Sequence, residues 1–340
     1  MISMSALPPI SLFKERYGDV RYFMAPMAGI TDLTFRTLIR ELGAQVVISE
    51  LVSSEGLIRG GDKTKSLMEF CDQERPVGIQ IFGSKIDSMA EGAKIVQGAG
   101  ADFVDINFGC PVKKVVKDGG GAAWLKDMVS LGKLLTTIKK GLQVPLTIKI
   151  RTGWDETSVN VLEVIRVAAD CGVSWVAIHG RTRAQGYSGL ADWEIIREAA
   201  QQSSIPIIGN GDILTAAQAT ARVTEGYAHG VMIGRGVLKN PWIFQEILGS
   251  APSKYDFDGL INQHFDLAIA NKGSYRAFLT LKKFMAWYAS GYPGASQFRK
   301  NVFTTSDSSE LRSFCLEYFN SIKDHIRVDD GKPFLMGGHG

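Results

Sequence analysis

The chain has 340 residues, 45% hydrophobic and 21% charged, with a formal charge of +3, ordinary values for a globular protein that buries a large core. No apolar stretch approaches the roughly 18–20 residues of a membrane span, and residues 1–22 carry Pro8, Pro9 and several charges where a secretory leader would be apolar. Cys71, Cys110, Cys171 and Cys315 stand far apart with no C-x-x-C or Cys/His cluster, which argues against zinc and iron–sulfur sites and suits a reducing cytoplasm.

From residue 22 to residue 247, short apolar runs alternate with longer amphipathic ones. Strands are expected at 22–27, 45–49, 77–82, 103–107, 145–150, 175–179, 206–209 and 230–233, each rich in Val, Ile or Phe and each followed by a polar or glycine-containing loop. Residues 32–42, 159–171 and 215–225 read as helices closed by Gly43, Gly172 and Gly226. Eight strand–helix units predict an α/β fold, a (β/α)8 TIM barrel. An open doubly wound sheet also alternates in this way, but eight is the number that closes. After Gly249 strand-like runs stop. Residues 256–270, 275–289 and 308–326 read as helices, with a turn at Tyr292-Pro293-Gly294 and a short helix at 297–303. The expected division is a barrel domain over 1–250 and an all-helical domain over 251–340.

In a barrel, function gathers where strands emerge at their C-terminal ends. In chain order the side chains there are Pro26 and Met27, Gln80, Asn107, Lys149 and Arg151, His179 and Arg181, Asn210 and Asp212, then Gly234 and Arg235. Lys149 interrupts the apolar run Leu146-Thr147-Ile148-Lys149-Ile150, an expensive place for a cation without a negative partner. It therefore pairs with a buried carboxylate, or it faces a ligand that gathers negative charge, as the pyrimidine edge of a flavin does on reduction. Period-two alternation places Arg151 on the same side of the strand.

Gly209-Asn210-Gly211-Asp212 and Gly234-Arg235-Gly236 follow the last two strands, where such barrels commonly bind a phosphate through backbone N–H groups. His179 stands at the active face beside Arg181, which favours a ligand contact over a core histidine. His229, His264, His325 and His339 have no such setting. Gly119-Gly120-Gly121 lacks dinucleotide-loop spacing and reads as a mobile part of the loop after the fourth strand. Cys110 lies in that loop between Gly109 and Pro111, whereas the other cysteines fit helices as small hydrophobes. An ordinary thiol is protonated at neutrality and can donate a proton. Lys113 and Lys114 nearby could lower its pKa and make it a nucleophile, so both roles stay open.

At this point six stretches resemble the bacterial tRNA-dihydrouridine synthase family over nearly the whole chain. They are residues 25–32 (APMAGITD), 107–111 (NFGCP), 149–154 (KIRTGW), 179–182 (HGRT), 209–212 (GNGD) and 232–235 (MIGR). The resemblance implies an FMN barrel with a helical tRNA-binding domain. It implies that NADPH (or NADH) reduces the FMN, and that a uridine flipped out of the tRNA D-loop accepts a hydride at C6 while Cys110 protonates C5. By position, Pro26, Met27, Ala28, Gln80, Lys149, His179, Asn210, Gly211, Asp212, Gly234 and Arg235 would hold FMN. Asn107, Arg151 and Arg181 would meet the uracil and its neighbours. The start of the barrel looks like the B type of the family. Residues 119–127 and Gln185-Gly186-Tyr187 are similar to the C type, and Trp124 stands where a smaller aliphatic is expected.

Residues 271–300 bear on the RNA expectation: Lys272, Arg276, Lys282, Lys283, Arg299 and Lys300 occur there with no Asp or Glu. Tyr275, Trp287, Tyr288, Tyr292 and Phe298 are interleaved and, at helical spacing, read mostly as core. A one-sign stretch in a nearly neutral chain fits phosphate contact. A cytoplasmic monomer without metal or membrane association completes the expectation. The alternatives are a small-molecule FMN-barrel reductase and a non-catalytic tRNA-binding protein.

Overall fold

The computed structural model describes residues 6–328, so His339 lies outside the described residues. Its strands are β1 (Tyr22–Met24), β2 (Val47–Ile48), β3 (Val52–Ser53), β4 (Val77–Phe82), β5 (Phe103–Phe108), β6 (Leu146–Arg151), β7 (Val176–His179), β8 (Ile207–Asn210) and β9 (Gly230–Ile233). All pair in parallel, and β1 pairs with β9, Phe23 opposite Met232. The remaining seam closes where Phe23 bridges Val46, with the Gln45 N–H donating to the Tyr22 carbonyl. Helices cover these strands outside and side chains fill them inside, which is why they read as nearly unbroken apolar runs.

One expected stave differs from its sequence reading. Of residues 45–49 only Val47–Ile48 form a strand, β2, against β4, and β3 resumes along the same edge of β4. Val47 lies opposite Val77 but Val52 lies opposite Ile81, so the chain spends one extra residue there. This bulge takes Glu50 and Leu51 out of the ladder, while the Ser49 N–H still donates to the Gly78 carbonyl (2.9 Å).

The barrel interior is layered. At the bottom the Trp175 ring packs edge-on to Phe103 (5.0 Å) and Phe23 (5.5 Å), and Phe13 of the N-terminal segment closes the end at 5.7 Å from Phe103. Gly78 makes room for Phe103, since a Cβ at 78 would stand 2.2 Å from that ring. The next layer is polar, built from Gln80, Asp105 and Thr147 on neighbouring strands. The ligand cavity lies above it.

After the barrel come the helices Phe257–Lys272, Ser274–Tyr288, Ala295–Thr304 and Ser308–Ile322, close to the expected spans. Phe265, Leu281, Phe284, Phe298 and Phe319 fill their shared core. They dock on the barrel helix Leu33–Glu41, where Phe35 packs against Phe284 (4.7 Å) and stacks on His264 (6.1 Å). The core is continuous across that junction. Among the described residues, no helix is long and apolar enough to cross a membrane, and no His/Cys/Asp/Glu group could hold a metal ion.

Candidate active site

A hydrogen-bonded ladder rises from the polar layer to the loop after β5. Asp105 accepts from Thr147 Oγ1 (2.5 Å) and from Gln80 Nε2 (2.6 Å), and Gln80 Oε1 accepts from Asn107 Nδ2 (2.9 Å). Asn107 Oδ1 then accepts the N–H groups of Gly109 (3.1 Å) and Cys110 (2.8 Å). The amide at the end of β5 thus fixes the turn that presents Cys110. Burial pushes the Asp105 carboxyl up to about 6, against its hydrogen bonds and the charge of Lys149.

Cys110 lines a cavity of about 390 Å³ with Pro26, Met27, Ala28, Asn107, Arg151 and Tyr187. Burial raises its thiol pKa, opposed by a hydrogen bond from the Val112 backbone and by the charge of Arg151. Lys113 and Lys114, whose nearness in sequence left a lowered thiol pKa open, lie exposed on the short helix Lys113–Lys117. The balance leaves the thiol protonated. The glycine run is packed rather than free: Ala122 N–H donates to the Cys110 carbonyl (3.3 Å), and a Cβ at Gly121, whose φ is +56°, would stand 2.9 Å from that oxygen. Trp124 is accommodated as its indole N–H donates to the Gly83 carbonyl (2.9 Å) and its ring packs on Phe108. Only Cys315 is a buried helical cysteine as expected. Cys71 stands before a 3-10 turn, and Cys171 ends a helix.

A second, contiguous cavity is lined by Pro26, Met27, Lys149, His179, Asn210, Gly211, Asp212, Gly234 and Arg235. Lys149 Nζ donates to Asn210 Oδ1 (3.1 Å), whose own amide is held by the Met232 carbonyl (2.8 Å). The alternative of a direct buried ion pair is therefore not realised. Burial and the neighbouring Arg151 lower Lys149 to about 8, and burial lowers Arg151 to about 10. Burial, then the charges of Arg151, Lys149, Arg181 and Arg235, keep His179 neutral. Arg181 and Arg235 share the Asp212 carboxylate (2.7 and 3.3 Å). Basic groups that suppress one another's charge around a concave, glycine-walled space form a site suited to an anionic ligand. A phosphate-bearing flavin fits this residue set. Lys149 would face its pyrimidine edge, and Gly211, Gly234 and Arg235 would meet its phosphate.

Three expected ligand contacts have other partners. Gln80 is fully buried below the cavity, with both ends of its amide bonded. Arg181 is 2% exposed and braces the 180–192 loop through the Ser188 and Gly189 carbonyls as well as Asp212. Arg151 reaches the cavity, but it donates to the carbonyls of Gly109 (2.9 Å), Thr182 (2.9 Å) and Gly186 (2.7 Å), tying together the loops after β5 and β7. The cause is common to all three: a buried polar group takes the nearest partner the chain offers. Asp212 likewise orients arginines rather than offering a group to an anion.

Tyr187 lines both cavities, although it was not among the expected ligand contacts. Its ring lies 6.0 Å from His179, with the guanidinium groups of Arg235 and Arg151 over it at 4.8 and 5.7 Å. It sits in a glycine-rich loop without periodicity, and its signals in sequence were closeness to Arg181 and the resemblance of Gln185-Gly186-Tyr187 to the C type.

The basic stretch divides as well. Lys272 pairs with Asp32, and Lys282 is buried and donates to the Thr305 carbonyl (2.5 Å). Arg276, Lys283, Arg299 and Lys300 are exposed, as is Tyr275, whereas Tyr288 and Phe298 are core.

Comparisons with known proteins agree with this geometry. Residues 23–323 match the family model described as dihydrouridine synthase (Dus). A probable tRNA-dihydrouridine synthase of Rickettsia prowazekii is 35% identical over 88% of this chain and 95% of that protein. The tRNA-dihydrouridine synthases B of Pseudomonas putida and Klebsiella pneumoniae are 34% and 36% identical, over 91% and 88% of this chain and 94% and 96% of theirs. Among solved structures, morphinone reductase superposes with a TM-score of 0.52 at 13% identity, over 76% of this chain and 94% of that one. A 2-naphthoyl-CoA reductase gives 0.56 at 13% identity, over 72% of this chain and 52% of the other. These two share the barrel fold. The family match and the identities together place the chain in the dihydrouridine synthase family, whose members are flavin-dependent oxidoreductases.

Proposed function

We propose that this protein reduces uridine in the D-loop of tRNA to 5,6-dihydrouridine, with FMN as its cofactor and NADPH as the electron donor. The observation that carries the reading is one continuous space with a protonated cysteine on one wall and a buried basic cluster on the other. FMN, when bound, supplies the hydride equivalent that the uracil accepts at C6. The chain supplies everything else. Pro26, Met27 and Ala28 form the wall behind the ring, Lys149 and Asn210 meet its polar edge, and Gly211, Gly234 and Arg235 meet its phosphate, with Asp212 orienting Arg235. His179 stays neutral beside them as a hydrogen-bonding group.

Cys110 Sγ holds the proton that goes to C5, and Asn107 fixes the turn from which it is delivered. Arg151 and Arg181 act through the loops they brace rather than by touching the base. Tyr187 closes the space against water. The target uridine must be extruded from the D-loop for its ring to enter the cavity beside Cys110. Arg276, Lys283, Arg299 and Lys300 then hold the RNA backbone. In this reading the barrel domain ends near residue 250 and residues 251–340 are the RNA-binding part. The protein works as a cytoplasmic monomer.

The test is dihydrouridine mapping in tRNA from cells lacking this protein, with flavin absorbance of the purified chain as a first check. Loss of dihydrouridine at a D-loop position is expected. Unchanged modification in cells without a redundant synthase would sink the reading.

A further inference from the structure

Two carboxylates stand behind the 25–31 loop, which forms a wall of the Cys110 cavity. Glu50, lifted out of register by the bulge between β2 and β3, accepts the Gly29 N–H. Asp32 caps the helix Leu33–Glu41 by accepting from the Phe35 N–H (3.0 Å). The cation that answers both comes from the C-terminal helices: Lys272, the last residue of Phe257–Lys272, pairs with Asp32, and its charge also acts on Glu50. Next to it Asn271 Nδ2 donates to Thr34 Oγ1 (3.2 Å). The other cation near Glu50 is Arg36, already committed to Glu74 (2.5 Å) and to the Thr31 and Glu69 carbonyls (2.9 and 2.6 Å).

Beyond Lys272 the chain turns at Gly273, whose φ is +73°, and enters the helix Ser274–Tyr288 with Tyr275 and Arg276 exposed. A phosphate held there would lie within a few residues of the Asp32 pair. We propose that Lys272 is a positioning residue: through Asp32 and Glu50 it holds the 25–31 loop in place, and so links RNA seating on the C-terminal helices to the shape of the cavity beside Cys110. The inference rests on the reading that RNA is the substrate.

The electrostatics have a definite sign. Burial, with the repulsion of Asp32, already raises the Glu50 carboxyl, opposed by the Gly29 N–H and by Lys272 and Arg36. A raised carboxyl loses its ionised form as pH falls through that raised value, and the neutral acid is a weaker acceptor for Gly29. Removing Lys272 moves the loss to higher pH.

The experiment compares full-length wild type with Lys272→Met, Lys272→Arg, Glu50→Gln and the Lys272→Met/Glu50→Gln double variant. One measurement is amide hydrogen exchange of the 25–31 loop in the flavin-free protein. The other is kcat and KM with tRNA across about pH 5–8. Lys272→Met should speed exchange in the loop and lower kcat about fivefold, the scale of one partly buried ion pair, with KM within about twofold and the acid limb moved to higher pH. Lys272→Arg should behave as wild type. Glu50→Gln keeps an acceptor for Gly29 without the charge, so in that background Lys272→Met should lose the part of its effect that runs through Glu50 and keep the part that runs through Asp32. Additive effects in the double variant, or a rise in KM with kcat and loop exchange unchanged, would overturn the proposal and leave Lys272 a plain phosphate contact. A wild-type protein that forms no dihydrouridine would instead remove the functional reading, while the exchange data would still decide whether Lys272 and Glu50 hold the loop.

Discussion

Replacing Asn107 by alanine tests the claim that the end of β5 aims Cys110. The substitution strips partners from three groups: the Gly109 and Cys110 N–H donors and the Gln80 Oε1 acceptor. A buried polar group left unpaired costs about 1–3 kcal/mol. Asn107 lines the cavity, so water can reach the two N–H groups, whereas Gln80 is sealed off. A total of about 2–4 kcal/mol follows, and at about 2–4 °C per kcal/mol for a large domain the Tm should fall by roughly 4–16 °C. Oxidation of the pre-reduced enzyme by tRNA should slow at least about tenfold, because misplacing the proton donor by an ångström is enough to do so. The comparison that separates stability from aim is Gln80→Met. It removes one of the two donors to Asp105, which keeps Thr147, and the acceptor of Asn107 Nδ2, but leaves the Asn107 grip on Cys110. Thermal unfolding and rapid-mixing oxidation of both variants decide the matter. Equal slowing in the two, or an Asn107→Ala protein with wild-type Tm and rate, would refute the assignment.

Cys110→Ala should slow the same oxidation step by about 10²–10⁴-fold with flavin content unchanged. The wild-type rate should persist through the pH at which an ordinary thiol ionises, since burial holds Cys110 protonated, and a loss near neutrality would contradict that state. FMN affinity of the flavin-free protein should fall as pH rises through about 8, where the Lys149 ammonium is lost, and Lys149→Met should abolish that limb in a fluorescence titration. The exposed pair Arg276→Ala/Lys283→Ala should reduce the salt dependence of tRNA binding by about one charge per residue, whereas Lys282→Met should lower Tm with tRNA affinity intact.

The barrel was legible because parallel strands buried on both faces require unbroken apolar runs, and those runs are plain in β4 to β9. The broken stave was not, since β2 and β3 each pair through only two residues and a bulge leaves no composition signal. The N-terminal plug went unread as well. Ile10 and Phe13 sit among prolines and charges without periodicity, and their burial depends on Trp175 and Phe103 far along the chain. The polar residues of β6 to β8 that line the cavity stood out in sequence because a polar side chain on an inner barrel position has few other uses. What sequence could not show is which charges are already spent. Asp212 lies 31 residues from Arg181, and Lys272 lies 240 from Asp32, so the arginines of the site and the latch of the helical bundle emerge only when the chain is folded.

The seam between β1 and β9 governs how this chain can be made. Phe23 meets Met232 only after roughly 210 further residues have been synthesised, and Phe35 meets Phe284 only after roughly 250. At about 5–20 residues per second those contacts wait on the order of 10–50 s. Throughout that interval the nascent chain carries an apolar strand with its β9 edge open and an uncovered aromatic patch near its leading end. Neither gains its partner until synthesis is largely done. Slowing the ribosome would lengthen that exposure.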